Sequence, residues 1–169
     1  MEKITVVDEK DEVIGEARVN KILPFEIYRV SSLIVENHKG QVLLAKRSYS
    51  MVKSPGLWGP SCEGTVRKGE TYHETMIREA KEELGISGIE YLELKKQRVR
   101  KPYNHFKMWY KVKLDWPIKK FKIQSEEVQK LKWIKKEKLI EMAKRNSKVL
   151  TPSFKEFIKR FYQNNGRNI

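Results

Sequence analysis

Gly64–Ile86 reads GTVRKGETYHETMIREAKEELGI, and its spacing organises the rest of the chain. Thr71-x-x-Glu74 is a capping-box pattern that opens a helix, and Gly85 stands where a C-terminal glycine closes one. Nothing between them breaks a helix. At about 100° per residue, Met76, Ile77, Ala80 and Leu84 fall on one stripe, which should face a sheet. Glu79, Glu82 and Glu83 lie at i, i+3 and i+4, so their carboxylates meet on one side. Like charges repel at that spacing, and a divalent cation removes the conflict. Hard oxygen donors favour Mg²⁺, with Mn²⁺ as a substitute, and no Cys/His cluster competes for zinc. The cluster lies beside the apolar stripe, at the edge of the helix–sheet interface, where a cleft can form. Arg78 is placed to orient Glu70 by a bidentate contact. The competing reading of E-x-x-E-E alone is a solvated acidic helix face.

Upstream, Ile4 to Val7 and Glu12 to Arg18 read as two short strands around an Asp8–Asp11 turn. Ile27 to Glu36 is β-branched and mostly apolar, a buried strand that turns at Asn37–Gly40 and returns through Gln41 to Arg47. Ser48 to Pro60 reads as a loop, with Trp58 a packing anchor. Downstream, Glu90 to Arg100 and His105 to Leu114 form a second strand pair. His105, Lys107, Trp109, Lys111 and Lys113 share one face of the latter strand. Trp109 among those lysines could stack a base over a basic groove. The alternative is a solvated sheet edge guarded by lysine. Glu126 to Ile134 is a further strand, and Lys135 to Lys144 a short helix. Thr151-Pro152 opens a last helix over about 151–163, followed by a loose tail at 164–169. One mixed α/β domain over residues 1–169 is the expected organisation.

The formal net charge is +14, and the basic excess concentrates in residues 91–125. That suits a polyanionic partner such as a nucleotide, a diphosphate ester or RNA; the bland reading is a lysine-solvated surface. A single cysteine, Cys62, forms no internal disulfide and suits a reducing compartment. No apolar run approaches the roughly 20 residues of a membrane span. The N-terminus has no signal core, so a cytoplasmic location is expected.

The spacing of the central stretch resembles the Nudix hydrolase signature, G-x5-E-x7-R-E-U-x-E-E-x-G-U. Gly64, Glu70, Arg78, Glu79, Glu82, Glu83 and Gly85 match its fixed positions, Ile86 fits the last U, and Ala80 is a small occupant of the first. LLAKRS, PGLW and EEVQKLKWI fit the family's surroundings. The resemblance implies an α/β/α sandwich around a mixed sheet. It implies metal-dependent hydrolysis of a diphosphate linkage in a nucleoside diphosphate joined to another group. Glu79, Glu82 and Glu83 would hold the metal, with the Glu63 backbone carbonyl and a later glutamate, Glu127 or Glu126, as further ligands. Glu82 or Glu83 would activate water, with Glu70 and Arg78 in support. Arg29 and Arg47, on strands near the expected cleft, are the candidate phosphate contacts beside Trp109.

The N-terminal segments look like the isopentenyl-diphosphate-isomerase-like branch, which raises isomerisation as a rival. Against it, Glu63 stands where the isomerase cysteine is needed, Thr65 replaces its histidine, and the hydrolase box is intact. RNA decapping or RNA binding is the other alternative.

Overall fold

The computed structural model describes residues 2–162. The strands are β1 (Lys3–Val7), β2 (Val13–Arg18), β3 (Ile27–Glu36), β4 (Gln41–Arg47), β5 (Trp58–Gly59), β6 (Cys62–Thr65), β7 (Leu92–Val99), β8 (His105–Lys113) and β9 (Val128–Lys135). The helices are α1 (Tyr72–Leu84), α2 (Lys136–Lys144) and α3 (Pro152–Phe157); the chain after α3 winds on as a wider turn over Ile158–Tyr162. The tail expected at 164–169 lies outside the described residues. No helix among the described residues is long and apolar enough to cross a membrane.

β3 is the spine of the sheet. It runs parallel to β8 along its length, from Tyr28 opposite His105 to Glu36 opposite Lys113. Its other edge pairs antiparallel with β1, β6 and β4 in turn. The sheet is therefore mixed. A strand covered on both faces is apolar on successive positions, not only on every second one, and Leu33, Ile34 and Val35 form such a run in IYRVSSLIVE. Leu33 and Val35 pack with Met76, Ala80 and Leu84 of α1 on one face. Ile34 packs with Leu139 of α2 and Phe154 and Phe157 of α3 on the other. The result is the α/β/α sandwich that the signature implies.

Local signals set α1. Thr71 Oγ1 accepts from the Glu74 amide at 3.2 Å, and the Glu74 carboxylate accepts from the Thr71 amide at 2.8 Å. Gly85 takes φ 69°, a left-handed conformation that favours glycine. The buried arc differs from the expected stripe. Met76, Ala80 and Leu84 are buried, but Ile77 is 44% exposed. Thr75, Glu79 and Glu83 are buried in its place. The helix is thus rolled so that its carboxylate flank turns inward.

Two more expectations change. The segment read as a loop up to Pro60 carries β5, and β6 follows at once. Between them Ser61 is fully buried: its Oγ donates to the Leu43 carbonyl at 2.7 Å and accepts from the Val35 amide at 2.8 Å, linking β4 to β3. β8 is neither a solvated edge nor an open groove. It lies between β3 and β7, and Lys107 and Trp109 are both buried. Trp109 stacks on Phe157 at 4.0 Å between centroids, and its indole N–H donates to Gln97 at 2.9 Å. It is a core residue, packed under α3 and outside the lining of the cavity. Trp58 does pack on this second core, as expected.

Candidate active site

β6, the turn at Glu70 and the C-terminal half of α1 place the signature residues. β6 pairs with β3 alone among the described strands, which leaves its other edge open. Gly64 lies on that strand directly under Glu79. A Cβ there would stand 1.9 Å from the Glu79 carboxyl carbon, so no side chain fits. Arg78 then orders the acidic groups. It grips Glu70 through Nε and Nη2 at 2.8 and 3.0 Å, the bidentate contact anticipated from the spacing. Its Nη1 also donates to Glu79 at 2.6 Å and to Glu82 at 3.2 Å. Glu70 further accepts from Thr75 Oγ1 at 2.8 Å and the Arg67 amide at 3.2 Å. Burial alone would raise the Glu70 carboxyl. The Arg78, Thr75 and Arg67 contacts outweigh it and bring the group down to about 2.

Glu79, Glu83 and Glu127 each present an oxygen within 4.8 Å of the others. Burial, with the neighbouring carboxylates, raises Glu79 to about 7 despite Arg78. Burial and the charges of Glu79 and Glu127 push Glu83 well above the usual carboxylate range. Glu127 is raised too, again chiefly by burial. Three converging carboxylates, only one of them ion-paired among the described residues, suit a hard divalent cation, whose binding would let all three ionise. Glu127 reaches the cluster from the turn before β9, where its carbonyl accepts from the Ser48 amide at 2.8 Å. Glu126 is exposed and stands outside the cluster. Glu82 also stands apart, 43% exposed and held by Arg78.

A cavity of about 680 Å³ opens along the free edge of β6. Glu79, Glu82, Arg78, Arg47 and Glu127 line one part of it; Tyr28, Glu63, His105 and Lys107 line another. Arg47 therefore lines the cavity, its Nε tied to the Lys53 carbonyl at 2.8 Å. Arg29 does not. It pairs with Asp11 at 2.7 Å and lies over the Tyr72 ring, 5.2 Å from its centroid. Alternation along β3 sends Arg29 to the α1 face, while its neighbours Tyr28 and Val30 line the cavity. Its work is structural: with Tyr72 and Lys96 it fastens the buried Asp11 of the β1–β2 turn.

The sequence reading missed the pairing of Glu63 with Lys107. The Glu63 carboxylate accepts from Ser32 Oγ at 2.8 Å and forms an ion pair with Lys107, whose Nζ also donates to Ser153 Oγ at 2.9 Å. Burial would raise Glu63, but Lys107 and Arg47 hold it down at about 2. The available signal was a lysine alternating with aromatic residues on a strand long enough to be central. Cys62 is buried among Leu43, Met76 and Ala80, and burial pushes its thiol up, well above the ordinary range.

Comparison with known proteins agrees with this geometry. The NUDIX domain family matches residues 27–157. An uncharacterised Nudix hydrolase of Listeria innocua is 32% identical over 146 residues, covering 82% of this chain and 83% of its own. A Nudix hydrolase of Deinococcus radiodurans is 38% identical over 86 residues, 50% of each chain. The crystal structure of Deinococcus radiodurans DR0079 superposes with a TM-score of 0.83 at 26% identity, covering 95% of this chain and 99% of that one. The NUDIX domain of Shewanella oneidensis NrtR, solved with ADP ribose, shares the fold at a TM-score of 0.63 and 16% identity, covering 88% and 93%. The chain belongs to the Nudix hydrolase family, enzymes that cleave pyrophosphate bonds in nucleoside diphosphate derivatives.

Proposed function

From that membership, we propose that this pyrophosphohydrolase works with Mg²⁺, for which Mn²⁺ can substitute, on a small nucleotide-derived diphosphate. The observation that carries the reading is the convergence of Glu79, Glu83 and Glu127 within 4.8 Å. These three would hold the metal, with the Glu63 backbone carbonyl beside Gly64 as a further ligand and Glu82 at the rim. A bound divalent ion supplies charge neutralisation on the phosphate oxygens and a more acidic water.

The chain's own residues do the rest. Arg47 meets the phosphates from the part of the cavity that the carboxylates also line. Glu70 and Arg78 set the position of Glu79 and Glu82. Water attacks one phosphorus, the bridging P–O bond breaks, and the water's proton passes to Glu82 or Glu83. A single domain in the cytoplasm, with one unpaired and buried cysteine, accords with such a substrate. The isomerase alternative is not favoured, because Cys62 is packed in the core. RNA decapping loses its stacking platform with the burial of Trp109.

The test is phosphate release from a panel of nucleoside diphosphate derivatives with Mg²⁺ and after chelation. We expect Mg²⁺-dependent release on at least one compound. Glu83→Gln should lower it on the order of 10³-fold, and Glu82→Gln by less, since Glu82 stands outside the cluster. Release that survives chelation, or no release on the whole panel, overturns the reading.

A further inference from the structure

The cavity has a polar floor that the phosphate chemistry does not use. Lys107 follows the β3 register of Val30, and Glu63 that of Ser32, so both side chains leave the sheet on the face opposite α1. The Lys107 side chain is 1% exposed and that of Glu63 25%. Each has unspent bonding capacity. Lys107 Nζ gives two of its three N–H groups, to Glu63 and Ser153. Glu63 Oε2 accepts from Ser32 and Lys107, while Oε1 has no partner among the described residues. A free donor therefore lies beside a free acceptor. His105 lines the same cavity, and both its ring nitrogens are buried without a partner. Its ring lies 5.2 Å from that of Tyr28. Burial and the Lys107 charge lower it to about 3, so the ring is neutral and offers one donor and one acceptor. Val30, Val99, Pro102 and Tyr103 supply apolar walls around these groups.

We propose that the Lys107–Glu63 pair, with His105, reads the hydrogen-bonding edge of the substrate's nucleobase and so sets which nucleotide the enzyme prefers. The proposal rests on the diphosphate reading for where the phosphates lie, and goes beyond it in assigning the base. Every nucleobase carries adjacent donor and acceptor groups on one edge, the complement of a free N–H beside a free carboxylate oxygen. A hydrocarbon tail would leave both unpaired in a dehydrated site, which costs affinity. The apolar walls suit the faces of a planar ring. Both residues line the cavity, which brings the pair within reach of a ligand bound there.

Calorimetric titration with the four common nucleoside 5′-monophosphates and with ribose 5-phosphate tests this without requiring hydrolysis. Loss of Mg²⁺-dependent phosphate release would sink the catalytic reading and leave this result standing; the reverse also holds. The wild-type protein should bind its preferred monophosphate about tenfold or more tighter than its worst, and at least tenfold tighter than ribose 5-phosphate. Glu63→Gln turns the free acceptor into a donor while keeping an oxygen for Lys107, and should change the order of preference among the bases. Lys107→Arg, which keeps the charge but moves the donors, should flatten the preference. Binding of all five compounds within twofold of one another by the wild type, or an unchanged base order in Glu63→Gln, overturns the proposal. If Glu63→Gln fails to fold, the wild-type comparison and Lys107→Arg decide.

Discussion

Glu63 and Glu83 are neighbouring glutamates, the first partly buried and the second fully, and the protein treats them in opposite ways. Glu63, on the α2/α3 side of the sheet, is held down at about 2 by Lys107 and Arg47 against its own burial. Glu83, on the α1 side, is driven up by burial and by Glu79 and Glu127. Buried charge is tolerated where a partner neutralises it. Where no partner is supplied by the chain, the mismatch marks the place for a ligand that brings the missing charge. The contrast is between a carboxylate whose partner the chain supplies and one whose partner it does not.

The sharpest way to break this contrast is Lys107→Met. It should cost about 2–3 kcal/mol in urea unfolding, because the partly buried Glu63 loses its ion-pair partner. A loss below about 1 kcal/mol would mean that the pair is not closed as described. Gly64→Ala comes next. A Cβ placed 1.9 Å from the Glu79 carboxyl must displace it. We expect a loss of about 1–3 kcal/mol and a roughly 100-fold fall in turnover. Glu83→Gln should do the opposite to stability. Without metal at pH 8 the variant should be about 1 kcal/mol more stable than wild type, since a repelled charge is gone. It should also lose most of the thermal shift that Mg²⁺ gives the wild type.

The smallest effect concerns Glu70. Its carboxyl lies at about 2 in the folded chain against an ordinary 4.5. A depressed carboxylate contributes stability that is fully present above pH 4.5 and is lost as the pH falls toward 2. Acid unfolding of Glu70→Gln should therefore be flatter than that of wild type across this window. Equal slopes would show that Arg78 does not hold Glu70 in solution.

Local signals carried well wherever the physics is local. The capping box, Gly85, and the ends of β3 and β4 are set by neighbours in sequence, and they stand where the sequence places them. So does the Glu70–Arg78 contact, which needs only the turn ahead of α1 and the helix itself. The misreadings arose where tertiary packing overrode periodicity. Alternation along β8 showed that Lys107 and Trp109 share a face, but not that α3 covers it. The apolar stripe drawn through Ile77 ignored that the helix rolls its carboxylates inward, against the apolar preference of an isolated helix. Arg29 lies on β3 near the cleft, yet one residue of alternation sends it to the other face to meet Asp11.

The sequence by itself determined the helix that carries the carboxylates, the glycine beneath it, the bidentate arginine and the class of reaction. All of these rest on spacings within one short stretch. Only the tertiary structure decided which carboxylates converge: Glu127 joins Glu79 and Glu83 from a distant turn, while Glu82, adjacent in sequence, stands aside. It alone decided that Lys107 meets Glu63 across the sheet. The reason is physical. Backbone periodicity says which side chains share a face, but long-range packing decides what that face meets and how much water is left there to screen the charges.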